Sequence, residues 1–428
     1  MMLANISVPL LGLVDTAVIG HLSNAYFLAA IALGSSSVSL IFWLLGFLRM
    51  STTGLVAQRF GERNEAALLS QLYASATIAI GLSVLLLLLQ SSIISLVANL
   101  SNASPDLMAS AGRYIEIRLL SAPAAMMNLV LLGALLGLQN GKGPFYVVLF
   151  SNGLNIILDV WFVVGLDLNV VGAAWATCIS DYLSCALAIG LVVKSLGRAN
   201  ITMKWLPINL SQITHLLHLN RDIFFRSLVL QACFSFMTFY GARLGDITLA
   251  TNAVLLNFLL LISFAMDGIA YALEAKVGEA VGQKSQAAVH RWVKVGFFWG
   301  AVFAFGYTFT FAVFGPLFVA SLTSLDTVQA NAAEYLPWIV VMPLIATSCF
   351  LFDGIFVGLM RAKDMRNSMI ISGVVGFAVP FILTSSFGNH ALWFAMSCFM
   401  ALRGITLGLR YRTVMGRGLF DQALVQND

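Results

Sequence analysis

The chain has 428 residues, 60% of them hydrophobic and only 10% charged, with a net charge of +4 at pH 7 and a mean hydropathy of +0.91. Soluble domains carry roughly 25% charged residues, so the composition falls outside the soluble class. It describes an all-α polytopic membrane protein, in which each span needs ~20 mostly apolar residues and satisfies its own backbone polar groups.

The first element is the apolar run VPLLGLVDTAVIG (8–20), with Asp15 in its middle and no Lys or Arg between Met1 and Leu48. It lacks a basic n-region and a small-residue cleavage site, so it reads as a first span rather than a signal peptide. A charge inside a span costs ~2.5–3.5 kcal/mol even on a lenient insertion scale, which makes any intramembrane acid a functional candidate. Pro9 and Gly12 stand one to two turns before Asp15. Proline removes a backbone hydrogen bond and allows a bend, so protonation of Asp15 is expected either to couple to the shape of this helix or to sit beside a static kink.

Polar, charged and Gly/Pro clusters divide the chain into about twelve spans: 1–22, 27–57, 66–98, 110–138, 144–166, 170–194, 223–243, 248–277, 291–321, 334–360, 367–386 and 390–412. Of the 23 Lys and Arg, only Arg113, Arg118 and Arg243 fall beside odd-numbered connections. The positive-inside rule then places even connections and both termini in the cytoplasm. The expected domains are a six-helix lobe at 1–194, a cytoplasmic linker with a surface helix at 195–222, a second six-helix lobe at 223–412 and a cytoplasmic tail at 413–428.

In the fifth span, SNGLNIILDVW (151–161) sets Asn152, Asn155 and Asp159 at i, i+3 and i+7, on one helix face. Two amides and a carboxylate supply oxygen ligands for a small hard cation, or a hydrogen-bonded cage around a proton site. Tyr114 and Thr177, on the fourth and sixth spans, offer hydroxyls. The bland alternative is a polar seam between helices, which suits Asn152 and Thr177 taken alone. If Asp15 and Asp159 lie close, the two carboxylates titrate as a unit or share a cation. Glu116 and Asp181 are less central acids of the same half.

The second half repeats the first at an offset of 221 residues: GERNEAAL (61–68) overlays GQKSQAAV (282–289), and Gly137-Leu138 overlays Gly358-Leu359. An even number of spans per half gives both the same orientation, hence a pseudo-two-fold axis along the membrane normal with a substrate site between the lobes. The acids are not duplicated. Asp267 and Glu274 lie on span eight and Asp353 on span ten, Glu274 being expected to pair with Lys276 near the surface. The five cysteines fall inside spans without metal-ligand spacing and read as small buried hydrophobes. GLQNGKG (137–143) has the wrong spacing for a phosphate loop, so no cofactor is expected, and transport would draw on an ion gradient.

Together VPLLGLVDTAVIGHL, FLRMSTTGLVAQRFG, SNGLNIILDVW, GAAWAT and DGIFVGLMRAKDMRNS resemble the MATE (multidrug and toxic compound extrusion) family, in its DinF-like branch, over nearly the whole chain. The resemblance implies two six-helix lobes around a V-shaped cavity. It implies export of cationic or amphipathic small molecules by alternating access, coupled to H⁺ or Na⁺. Its cation site maps onto Asp15, Tyr114, Asn155, Asp159 and Thr177, with Na⁺ possible at Asp15, Asn155, Asp159 and Thr177. Relatives carry a further proline upstream of Pro9. Some carry a Glu in the middle of span seven, where FFRSLVLQACFSFMTFYGAR has no acid, which leaves Asp353 without a partner. The expected protein is a monomer of the bacterial cytoplasmic (inner) membrane, surrounded by lipid, with no nucleic-acid partner. A lipid-linked oligosaccharide flippase and, more remotely, an intramembrane aspartyl enzyme are the alternatives.

Overall fold

In the computed structural model the described residues are 25–101, 104–204 and 210–419. The expected first span, with Pro9, Gly12 and Asp15, lies outside them. The described residues form fifteen α-helices: α1 (Ala25–Leu44), α2 (Phe47–Gly61), α3 (Glu65–Leu88), α4 (Gln90–Ser101), α5 (Pro105–Leu120), α6 (Ala122–Gly137), α7 (Lys142–Asp159), α8 (Asn169–Arg198), α9 (Leu210–Arg243), α10 (Asp246–Gly282), α11 (Gln286–Leu322), α12 (Asp326–Gly358), α13 (Ala362–Ile371), α14 (Val379–Thr384) and α15 (Asn389–Gly416). Ten continuous helices are long and apolar enough to cross a membrane, α1 and α2 counting as one, and the bent pair α5–α6 makes an eleventh span. The described residues thus account for eleven of the about twelve expected spans. Leu88, Phe239, Phe305, Phe309, Ile382 and Leu383 expose large apolar surfaces. Exposed apolar surface of this extent suits hydrocarbon and would be an aggregation liability in water.

The chain divides into two units, Leu3–Leu217 and His218–Asp428. In the second, α12 is the most enclosed span, packed against α10, α11 and α15 around Phe258, Phe311, Phe356, Trp393 and Phe399. In the first, α6 packs on α2 and α3 through Val56, Leu68, Leu69, Ala134 and Leu135.

The offset of 221 residues is written into the backbone of both units. Arg63 and Lys284 occupy the left-handed region at φ 57° and 54°, as do Gln139 and Met360 at 62° and 56°. Each closes a helix by the left-handed turn usually given to glycine or asparagine. The helices that follow the first pair are capped alike. Asn64 Oδ1 accepts from the Ala67 N–H at 3.0 Å, and Ser285 Oγ from the Ala288 N–H at 3.2 Å, each satisfying an orphan donor of the first turn.

Close helix contacts repeat as well. A Cβ on Gly133 would stand 2.6 Å from the Arg49 carbonyl oxygen, and one on Gly354 would stand 2.5 Å from that of Ala270. One turn on, Gly137 faces Val56 and Ala57, while Gly358 faces Val277 and Gly278. Each unit therefore joins its second and fourth spans through a small-residue groove of the Gly-x-x-x-Gly kind, in which backbones approach directly.

Several elements depart from the expected spans for local reasons. The expected span 110–138 is bent by 49° between α5 and α6. Pro123 lies in the first turn of α6, where its ring cannot continue the preceding ladder. The expected span 66–98 is divided at Leu89 into α3 and α4. The surface helix expected within 195–222 and the seventh span are one helix, α9, because no Gly or Pro interrupts residues 210–240. Two spans contain π-helical segments, Val160–Gly165 after α7 and Ser372–Ala378 after α13.

Candidate functional site

The candidate residues of the first unit fall on α5, α7 and α8. Asn155 and Asp159 are buried, at 4% and 5% exposure, one turn apart on α7. Asn155 Nδ2 donates to Thr177 Oγ1 at 3.2 Å, and that hydroxyl donates to the Ala173 carbonyl at 3.1 Å. The structure thus brings Asn155 and Thr177 into contact across α7 and α8. Asn152, a turn earlier, is half-buried. Asp159 is the last α-helical residue before the π-helical turn Val160–Gly165. Insertions of this kind in α-helices are frequent at functional sites.

Tyr114 is buried on α5 in a cluster with Ala30, Val163, Val170, Ala173, Ala174 and Cys178. Its ring lies over Gly34, where a Cβ would stand 2.6 Å from Tyr114 Cδ1. Tyr114 and Thr177 therefore border one apolar packing region, since Cys178 follows Thr177 and Val163 follows Asp159 by one turn. Asp15 lies outside the described residues.

An ion pair that sequence reasoning assigned no role pins this region. Arg118 Nη1 contacts Asp181 Oδ2 at 2.8 Å, with side chains 12% and 19% exposed. Arg118 is one turn beyond Tyr114 on α5, and Asp181 one turn beyond Thr177 on α8. Arg118 also donates to Ser121 Oγ at 2.8 Å, and Asn128 Nδ2 donates to the Asp181 carbonyl at 3.1 Å and to Ser184 Oγ at 3.0 Å. The bridge sits at the bend between α5 and α6. Arg118, inside the expected span 110–138, lies in the last turn of α5.

The second unit corrects two expectations. Asp353 was expected to lack a partner. Its Oδ2 accepts from Arg226 on α9 and, at 2.6 Å, from Arg403 on α15. Both arginines lie at the cytoplasmic ends of their spans in the basic-residue count, yet they are 8% and 2% exposed. Glu274 is not at the surface beside Lys276 but 2% exposed, and Lys276 pairs with Glu279 at 3.1 Å. Asp267 is half-buried on α10. Cys178, Cys185, Cys233 and Cys349 are buried free thiols, and Cys398 is partly buried.

The profile of the MatE family matches residues 1–161 and 223–382. DNA damage-inducible protein F of Escherichia coli (strain K12) is 43% identical over 413 residues, covering 96% of this chain and 90% of its own. The probable multidrug resistance protein NorM of Rhizobium meliloti (strain 1021) is 27% identical over 329 residues, covering 73% and 70%. The fold matches that of a multidrug resistance MATE family transporter of the MOP superfamily in its outward-facing conformation, with a TM-score of 0.87, 21% identity, and coverage of 97% and 94%. A family profile matched in both halves, together with a relative this similar along nearly its full length, means that the chain belongs to the MatE family and is a multi-pass membrane transporter, not an enzyme.

Proposed function

We propose that the protein exports cationic or amphipathic small molecules by alternating access, with H⁺ or Na⁺ flowing inward at the first unit. The observation that carries this reading is the burial of Asp159 within a span, one turn from Asn155 and its bond to Thr177. Placing a carboxylate inside a span is costly, and a hard monovalent cation or a proton suits the carboxylate, amide and hydroxyl oxygens that Asp159, Asn155 and Thr177 supply. Asp15 and Tyr114 complete the proposed set. The multidrug names of relatives support small-molecule export over a lipid-linked oligosaccharide flippase. The distribution of Lys and Arg supports an orientation with both termini in the cytoplasm, and the bacterial relatives support placement in the inner membrane.

The test is ethidium movement into everted vesicles bearing the parent, Asp159→Asn or Asp15→Asn, under a pH gradient and a Na⁺ gradient applied separately. Uptake driven by one gradient and lost in both variants supports the reading and names the ion. Parental uptake by Asp159→Asn would remove Asp159 from the coupling site, and no gradient-driven uptake by the parent would overturn export of a cationic dye.

A further inference from the structure

The second unit holds a buried cluster whose charges do not cancel. Arg226 and Arg403 each direct Nη2 at the same oxygen of Asp353, and the three side chains are 9%, 2% and 11% exposed. No other carboxylate pairs with either guanidinium among the described residues. Cys233 and Cys349 lie beside Arg403 and, as thiols, add no compensating charge. The cluster therefore carries one excess positive charge inside a membrane-embedded unit.

Its donors are also undersupplied with acceptors. Besides Asp353, Arg403 has among the described residues only Met400 Sδ, 3.2 Å from Nη1, and the ring of Phe399, whose centroid is 5.4 Å from Cζ. Sulfur is a weak acceptor. The Nε atoms of Arg226 and Arg403 are buried and have no hydrogen-bond partner among the described residues. One arginine would neutralise Asp353. A second adds a desolvated cation costing several kcal/mol, which makes sense when an anion joins the cluster. The planar fork of a guanidinium matches a carboxylate through paired N–H donors, and attraction is strong where water is scarce.

We propose that Arg226, Asp353 and Arg403 form a binding site for the carboxylate of an organic acid. Asp353 holds the two guanidiniums in place, and their remaining N–H groups take the incoming carboxylate. The use of this site for cargo rests on the export reading; its affinity for an anion does not.

The experiment uses the full chain in a neutral detergent, with thermal unfolding followed by a thiol-reactive dye that reports exposure of the buried cysteines. The probes are sodium benzoate, neutral benzamide and sodium chloride, with ionic strength held constant. A ligand that binds the native state raises the melting temperature, so benzoate is expected to stabilise the parent while benzamide and chloride do not. Arg226→Gln leaves a one-to-one Asp353–Arg403 pair, and its benzoate midpoint is expected to rise about ten-fold, in keeping with loss of a charge-assisted hydrogen bond. Asp353→Asn is expected to tighten benzoate binding, and Arg226→Lys to keep part of it. Should Arg226→Gln not fold, the order of midpoints Asp353→Asn below parent below Arg226→Lys carries the test. Equal midpoints in all forms, or equal stabilisation by benzamide or chloride, would overturn the carboxylate site. None of these readings depends on transport, so failure here is separable from failure of ethidium export.

Discussion

Asn155 and Thr177 are joined by a single side-chain hydrogen bond of 3.2 Å that ties α7 to α8 one turn before Asp159. Thr177→Val keeps the shape of the side chain but leaves the buried Asn155 amide without this acceptor, at a cost of about 1–3 kcal/mol. We predict a lower melting temperature and a several-fold loss of gradient-driven ethidium uptake per folded molecule, with Thr177→Ser close to the parent. Uptake unchanged in Thr177→Val would make the bond a packing feature alone.

The ion pair Arg118–Asp181 fixes α5 against α8 one turn from Tyr114 and Thr177. Removing one partner leaves the other as a largely buried, uncompensated charge, which costs about 3–5 kcal/mol in fully buried pairs and less at this exposure. Arg118→Gln and Asp181→Asn should each destabilise the purified protein. The double variant should be less impaired than the sum of the two, which a double-mutant cycle in melting temperature would measure. Strict additivity would show that the two groups act independently.

These two contacts show what the sequence conveys and what it does not. The stripe Asn152, Asn155 and Asp159 was legible because a helix turns residues at fixed spacing onto one face. The twelve-span plan was legible because lipid demands long apolar runs. The repeat was visible in Gly137 and Gly358, whose identity follows from backbones too close for a side chain. The bend after Leu120 could have been suspected from Pro123. Ion-pair partners leave no such local mark. Arg226 and Arg403 reach Asp353 from 127 and 50 residues away, and only the packing of α9, α12 and α15 brings them together. An acid that seemed alone in its span was therefore doubly paired.

Gly354 and Gly306 offer opposite outcomes for one substitution. A Cβ at Gly354 would press on the backbone of Ala270, which cannot move aside as a flexible side chain does, whereas Gly306 on α11 has nothing within 4 Å. Gly354→Ala should force α10 and α12 apart and destabilise by about 1–3 kcal/mol. Gly306→Ala should be neutral or stabilising by up to ~1 kcal/mol from helix propensity. Gly133→Ala should behave like Gly354→Ala, because it meets the Arg49 carbonyl in the corresponding groove. Melting temperatures of the three variants would decide; a tolerated Gly354→Ala would mean that the grooves do not set helix separation.

The buried amides Asn252 and Asn389 exchange two hydrogen bonds, at 2.7 and 2.9 Å, and Trp393 Nε1 donates to Asn252 Oδ1 at 2.9 Å. The three side chains are 1%, 4% and 0% exposed and link the first two turns of α10 and α15. Asn252→Ala orphans groups on both partners, each costing about 1–3 kcal/mol, while Trp393→Phe removes one donor and leaves the amide pair intact. We expect the melting temperature to fall in the order Trp393→Phe less than Asn252→Ala. Asn252→Ala/Asn389→Ala should be less destabilised than the two single variants summed, because a shared network is broken only once. If Trp393→Phe were as damaging as Asn252→Ala, the indole ring's packing, rather than the amide network, would be what holds these two helix ends together.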